Sequence, residues 1–314
     1  MTFTLALTAK NSLGLMKECF DSIFHQSEKP DFVMLVLDDA STPAPSYLQE
    51  YGVSIVQNRG GKIYHARNTA LALCTTDILA FTDTDCVLDA QWVRRIKEIF
   101  RTRPDVAAGT GSHPMIGKHN LSSWLHHMWF VVETKKTGYT NGVIGGNSYF
   151  RTAALKKING WLPVNLMAAE DVYISMKLLA AGYKIWFDET VIAHHHYKAE
   201  LIGFLRQSVM MGYDIVVMMR AAHIRGYLWY YTLAIPVLAA IAAASLFMVF
   251  IEPITGLALL LVVLLVTLAY LIVTFGSFSK GITRWLARWI IIWPYCWGII
   301  KGLLTFTKNR TAGQ

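Results

Sequence analysis

The chain has 314 residues and a formal net charge of +8, with 54% hydrophobic and only 16% charged residues. Soluble globular proteins carry roughly 25% charged residues, so the composition excludes a uniformly water-facing chain; the apolar excess is local and begins after about residue 227. No aromatic-plus-basic module accompanies the positive charge, which excludes a nucleic-acid-binding reading. The basic residues Lys280, Arg284, Arg288, Lys301, Lys308 and Arg310 flank apolar spans and suit anionic lipid.

Thr2 to Thr8 is short, apolar and β-prone. Asn11 and Ser12 offer an N-cap to a helix whose apolar face is Leu15, Cys19, Phe20, Ile23 and Phe24. Phe32 to Leu37 is a continuous apolar run of the kind buried on both faces of a parallel sheet, and it ends in Asp38-Asp39. Val53 to Val56 is a further strand, followed by a glycine turn at Gly60-Gly61 and a helix over Ala66 to Leu73. Ile78 to Phe81 is the next strand; it runs into Asp83-Thr84-Asp85 and is followed by a helix from Gln91 to Phe100. This alternation predicts an α/β fold with a mostly parallel sheet and helices on both faces.

Residues 105–150 are less regular, with a strand over Val143 to Phe150 whose Gly145-Gly146-Asn147 signals a turn or a close backbone approach. A helix is expected from Leu155 to Ile158, and another over Ala169 to Ala181, opening at Glu170-Asp171 where the helix dipole favours acids. Tyr183 to Phe187 and Thr190 to Ala193 read as two short strands, with His194-His195-His196 after the second.

Two uncharged stretches, residues 228–250 and 254–275, exceed the roughly 20 residues that cross a bilayer as a helix. Arg220 and Arg225 precede the pair and Lys280, Arg284 and Arg288 follow it, so the positive-inside rule places both flanks and the preceding domain in the cytoplasm. Residues 199–227 read as interfacial amphipathic helices. In 277–314, Trp285, Trp289, Trp293 and Trp297 form a stripe beside a basic face, which predicts an interfacial helix or a third membrane segment and then a basic tail. Cys19, Cys74, Cys86 and Cys296 have no metal-ligand spacing and read as reduced thiols, and Met1 to Lys10 lacks the features of a signal peptide.

Both carboxylate clusters, Asp38-Asp39 and Asp83/Asp85, end apolar strands, which is where open α/β sheets bind ligands. Their mutual repulsion calls for a divalent cation and a basic side chain. An Asp-x-Asp pair can bind Mg²⁺ or Mn²⁺ bridged to a diphosphate, though an acidic turn alone is weak evidence. Its context is more specific. Thr8-Ala9-Lys10-Asn11, Asp38-Asp39-Ala40-Ser41, Asn58-Arg59-Gly60-Gly61 with Ala66-Arg67-Asn68, and Asp83-Thr84-Asp85 follow one another. Gly145-Gly146-Asn147 with Phe150-Arg151, Gly160-Trp161, Glu170-Asp171, Ala180-Ala181-Gly182-Tyr183, His194-His195-His196 and Phe204-Leu205-Arg206-Gln207 continue the order. From about Phe3 to Gly212 the chain resembles the family 2 glycosyltransferases with the GT-A fold.

That resemblance implies a nucleotide-sugar-binding GT-A domain over 1–198 and a C-terminal membrane helical region. It implies that Thr8, Asp38 and Asp39 contact the nucleobase, that Arg67 pairs with the donor, and that Asp83 reaches ribose or metal. Asp85 would ligate Mn²⁺ or Mg²⁺ with one of His194, His195 and His196. Asp171 would be the catalytic base with Glu170 beside it, and Arg206 and Gln207 would lie over the donor diphosphate. Gly146, Asn147 and Trp161 would line the acceptor side. Gly160-Trp161 and Ile174-Ser175-Met176-Lys177 depart from the family's pattern near the acceptor. The expected activity is transfer of one sugar from a nucleoside-diphosphate sugar to a lipid-linked or glycolipid acceptor, by a multi-pass protein of the cell membrane. A processive polysaccharide synthase subunit and an inactive nucleotide-sugar-binding scaffold are the alternatives.

Overall fold

The computed structural model describes residues 1–9, 14–38, 44–58, 62–130, 136–161, 166–197, 200–221, 235–275 and 278–311. The chain divides into two compact units, one of Met1–His119 with Phe130–Tyr197 and one of Asn120–Trp129 with Lys198–Gln314. The second unit thus takes a segment from within the stretch expected to belong wholly to the first.

The first unit begins β1 (Phe3–Ala9), α1 (Met16–Phe24), β2 (Phe32–Asp38), α2 (Tyr47–Glu50), β3 (Ser54–Asn58), α3 (Ile63–Leu73), β4 (Ile78–Asp83) and β5 (Cys86–Leu88). It continues α4 (Trp92–Thr102), β6 (Val106–Ser112) and β7 (Met115–Ile116). After α5 (Leu121–Phe130) it resumes with β8 (Gly138–Thr140), β9 (Asn147–Arg151), α6 (Thr152–Lys157), α7 (Glu170–Ala180) and β10 (Lys184–His196). The strands lie in the order β3-β2-β1-β4-β9-β6-β10-β5, with β7 and β8 also pairing β10. β3, β2, β1 and β4 are mutually parallel, and β9 runs antiparallel to both β4 and β6. The sheet is mixed, with its parallel part as expected.

The chain moves from β1 outward to β2 and β3, then returns to place β4 on the other side of β1. That reversal makes the β1/β4 edge a switch point, where the helices diverge and ligands find a crevice at the carboxyl ends. Thr8 and Asp83 are register partners there. On one sheet face Phe3, Leu5 and Leu7 bury against Phe20 and Ile23 of α1 and Trp92 and Ile96 of α4. Thr4 and Ala6 are buried on the other face. Burial on both faces explains why β1 and β2 are continuous apolar runs.

One expectation fails in a useful way. The stretches expected as two strands, Tyr183 to Phe187 and Thr190 to Ala193, fall from Lys184 onward in one 13-residue strand, β10. The polar Asp188-Glu189-Thr190 reads as a break, yet the strand carries through it with a register shift against β6 between Asp188 and Ile192. Such an irregularity bends a strand and redirects its side chains.

The second unit holds α5 together with α8 (Leu201–Ala221), α9 (Ile235–Ile251), α10 (Pro253–Phe275) and α11 (Phe278–Thr311). Leu201–Met219 and Pro253–Val273 are long and apolar enough to cross a membrane, and Pro236–Ile251 is a shorter apolar helix. Residues 228–234 of the first expected span lie outside the described residues. Within 199–227, expected to hold interfacial amphipathic helices, the described residues form α8, whose Leu201–Met219 window holds only the charges Arg206 and Asp214, with Asp214 fully buried. α11 is one 34-residue helix with Pro294 inside it, and Arg284 is buried rather than part of a solvent-facing basic stripe. α8 and α11 pack backbone to backbone: a side chain at Gly212 would collide with the Tyr295 carbonyl, and one at Gly298 with the Val209 carbonyl. Small residues that permit such approach are how helices associate without a hydrophobic driving force.

Candidate active site

The site residues of the first unit fall into two acidic corners joined by a glycine turn. The first corner follows β4. The Asp85 carbonyl accepts the backbone N–H of His196, so β10 holds the Asp-Thr-Asp turn in place. β5 pairs antiparallel with the end of β10, setting His194 opposite Val87 and His195 opposite Cys86. Alternation along the strand separates His195 from its neighbours. His195 Nε2 lies 3.2 Å from Asp85 Oδ1, whereas His196 Nε2 lies 3.0 Å from Glu18 Oε2. Of the three histidines, the geometry brings His195 to the acidic pair and occupies His196 elsewhere.

Asp83, Asp85, Cys86 and His195 each offer a ligand atom, all within 4.8 Å of one another. Two carboxylate oxygens and an imidazole are a donor set that Mn²⁺ accepts and, through its oxygens, Mg²⁺, so the residues present fit the implied ion. Desolvation, followed by the charge of Asp85, pushes the Asp83 carboxyl up to about 6, against the pull of Arg67 and His195. The crowding of negative charge is the kind a cation relieves.

The second corner is built by α7, α3 and β4. Asp171 accepts the Gly145 N–H at 3.2 Å on Oδ2 and the Val172 N–H at 2.7 Å on Oδ1. Desolvation and then neighbouring Glu170 push its carboxyl up to about 7 in spite of those bonds and of Arg67. Arg67 was expected at the donor. It is instead 1% exposed, with Nη2 3.1 Å from Glu170 Oε1, and its guanidinium lies 5.1 Å from the Phe81 ring centroid and 5.8 Å from that of Trp161. This is an internal counter-ion, held over aromatic faces that favour a cation.

Ile144 to Asn147 closes a tight turn, the Asn147 N–H donating to the Ile144 carbonyl, with Gly145 and Gly146 at its centre. Neither glycine has positive φ. Close approach is what demands them: a Cβ on Gly145 would stand 2.9 Å from Arg67 Nη2, and one on Gly146 2.6 Å from Asp83 Oδ2. Gly146 therefore sits beside Asp83. Asn147 and Trp161, also expected on the acceptor side, turn inward. Asn147 is fully buried, its Oδ1 accepting from Trp92 Nε1 and its Nδ2 donating to the Ser112 and Val191 carbonyls. Its amide ties α4, β6 and β10 together. Trp161 is fully buried beneath Arg67, with Nε1 donating to the Glu170 carbonyl.

Thr8 is half-buried at the end of β1 and Asp38 ends β2, while Asp39 lies outside the described residues. Arg206 is exposed and Gln207 half-buried in the first turns of α8, in the second unit. Ser175, noted in the sequence only as a departure near the acceptor, donates its Oγ–H to the Asp171 carbonyl and accepts the Val143 N–H, and so tethers Asp171 to the strap before the glycine turn. Sequence reasoning missed His113, which stacks on His195.

Residues 4–159 match the model of glycosyl transferase family 2. The chain belongs to the family 2 glycosyltransferases. It is 25% identical over 214 residues to the O-antigen chain rhamnosyltransferase RfbN of Salmonella typhimurium, a match covering 62% of this chain and 67% of that protein. It is 24% identical to a pre-mycofactocin glycosyltransferase of Mycobacterium tuberculosis over 47% of this chain and 33% of that one. The chain thus spans between a third and two thirds of the length of these curated relatives. Among solved structures, the mannosyltransferase PcManGT from Pyrobaculum calidifontis, in complex with GDP-Man and Mn²⁺, shares the fold. Its TM-score is 0.61 at 22% identity, covering 92% of this chain and 86% of that one. This family 2 glycosyltransferase is accordingly an enzyme of the GT-A fold.

Proposed function

We propose that this enzyme is a membrane-bound inverting glycosyltransferase of glycan biosynthesis. It moves one sugar from a nucleoside-diphosphate sugar to a lipid-linked or glycolipid acceptor at the cytoplasmic face of the cell membrane. The observation that carries the reading is the joining of the Asp85/His195 corner to the Asp171 corner by one Gly-Gly turn. Donor phosphates and acceptor hydroxyl must meet at that spacing in a single displacement.

Asp85 and His195, with Asp83, would hold Mn²⁺ or Mg²⁺. When bound, the ion supplies positive charge against the departing nucleoside diphosphate. The chain's own residues do the rest. Thr8 at the end of β1 and Asp38 at the end of β2, together with Asp39, which follows in the sequence, orient the nucleobase. Asp171 takes the proton of the acceptor hydroxyl as that oxygen attacks the anomeric carbon from the face opposite the leaving group. Its two backbone hydrogen bonds fix the carboxylate's direction, and its raised pKa makes it a competent base near neutral pH. Arg67 pairs with Glu170 beside it.

The α9–α10 pair supports the membrane part of the reading. Its side chains Phe250, Ile254, Val262, Val266 and Val273 are all exposed, a surface that water would not tolerate and lipid would. The test is a screen of nucleotide sugars for transfer and hydrolysis in membranes containing the protein, with and without Mn²⁺. Sugar incorporation into a lipid-extractable product, dependent on the ion, is expected; full activity in EDTA, or transfer only to water-soluble acceptors, would refute it.

A further inference from the structure

His113 belongs to none of the residues assigned above. It sits between β6 and β7, is 5% exposed, and its ring stacks on His195 with centroids 4.7 Å apart and planes 9° from parallel. Tyr197 closes the other side of the arrangement: its ring stands 4.4 Å from His195 at 62° and 6.1 Å from His113 at 70°.

The three rings are pinned by polar contacts outside the stack. Tyr197 OH donates to the His113 carbonyl at 3.0 Å, and the backbone N–H of His195 donates to the Pro114 carbonyl at 2.9 Å, which fixes the strand that carries the ring. His113 Nε2 reaches Cys86 Sγ at 3.5 Å, and a Cβ on Gly146 would stand 3.2 Å from His113 Cε1. His113 therefore cannot rotate away without displacing the fully buried Cys86 or the Gly146 backbone. An imidazole on a strand end otherwise keeps a broad choice at its second torsion. A flat ring parallel to it and a second ring across its edge remove that choice and aim Nε2 at Asp85.

We infer that His113 and Tyr197 form an aromatic clamp that sets the ring plane of His195 for metal ligation, His113 acting as a positioning residue that never touches the ion or the sugar. The inference rests on the metal reading proposed above. Groups that orient a ligating histidine are worth roughly ten- to a hundredfold in metal affinity. The clamp works through a ring face, so a flat apolar ring at position 113 substitutes for it.

The experiment measures Mn²⁺ dissociation constants for the full chain in detergent, by electron paramagnetic resonance of free Mn²⁺, alongside the Mn²⁺ concentration that half-activates transfer. His113→Ala is expected to weaken Mn²⁺ binding at least about tenfold. It should raise the half-activating concentration by the same factor and recover its rate at saturating Mn²⁺. His113→Phe is expected to bind within about threefold of the native chain. Native affinity in His113→Ala overturns the clamp, and so does equal loss in both variants at unchanged thermal midpoint, which would assign the effect to the contact with Cys86. Asp85→Ala is the control. Undiminished Mn²⁺ binding in that variant refutes the metal reading itself, whereas loss there with no change in His113→Ala refutes the clamp alone.

Discussion

At one corner of the site Asp83 and Asp85 stand beside an imidazole; at the other, Glu170 and Asp171 stand beside the guanidinium of Arg67. Both corners concentrate negative charge in surroundings that disfavour it, and the carboxyl groups of Asp83 and Asp171 are both pushed upward. The Arg67 corner carries a permanent cation, buried and clasped by Phe81 and Trp161. At the Asp85 corner His195 stands against the carboxylates, and Arg67 acts on Asp83 from a distance. One corner is electrostatically complete as folded, and the other gains most from a cation taken from solution. Removing the built-in counter-ion Arg67 should therefore cost stability, and removing Asp85 should cost activity.

The largest expected effect breaks the open corner. Asp85→Ala should lower transfer by at least about a thousandfold, since charge stabilisation by a metal is worth several kcal/mol, while leaving the thermal midpoint within a few degrees. A variant that keeps its activity would dissolve the contrast. Next is the base. Asp171→Asn keeps the side chain's size and removes its basicity, so turnover should fall at least about a hundredfold with nucleoside-diphosphate affinity unchanged. The pH profile sharpens this test. With the carboxyl raised to about 7, the ionised base is lost as pH falls through that value. The native rate should drop about tenfold per pH unit below the midpoint, and the residual Asp171→Asn rate should not.

Arg67→Met tests the closed corner. Leaving Glu170 buried without its partner should destabilise the first unit by about 3–5 kcal/mol, measured by denaturant unfolding. Adding Glu170→Gln should restore part of that loss, because the stranded charge disappears with it. No loss in Arg67→Met would mean that Arg67 serves the donor and not the fold. The smallest effect is expected at His194, on the strand face away from Asp85: His194→Ala should change transfer by less than about twofold, whereas His195→Ala should approach the loss seen in Asp85→Ala.

What could be read from the sequence was what is local. Asp38, Asp83 and Asp85 follow apolar runs directly, and Glu170-Asp171 opens its own helix, so their places at strand and helix ends were legible. The partner of Arg67 was not, because the Arg67–Glu170 pair joins two helices distant in the chain, and an Ala-Arg-Asn string says nothing about which way the guanidinium turns. Asn147 and Trp161 adjoin the site in sequence but point into the core, a fact settled by Trp92 and Glu170, which no spacing connects to them. The choice of His195 over its neighbours depended on the strand's phase, set by pairing with β5 and by the shift at Asp188. His113 is a lone histidine between strands, and only its stack with His195 singles it out.

The Gly145-Gly146 turn has a mechanical consequence. Gly145 touches the base's carboxylate and Gly146 touches Asp83, and adjacent α-carbons are held about 3.8 Å apart by covalent geometry alone. A single rigid peptide plane thus acts as a gauge between Asp171, the proposed proton acceptor, and Asp83, proposed to face the leaving diphosphate. Side chains around it can change the acceptor without altering that reading. A Cβ at Gly146 would press on Asp83 at 2.6 Å, whereas one at Gly145 would press on Arg67 at 2.9 Å and leave Asp171 at an ordinary 3.8 Å.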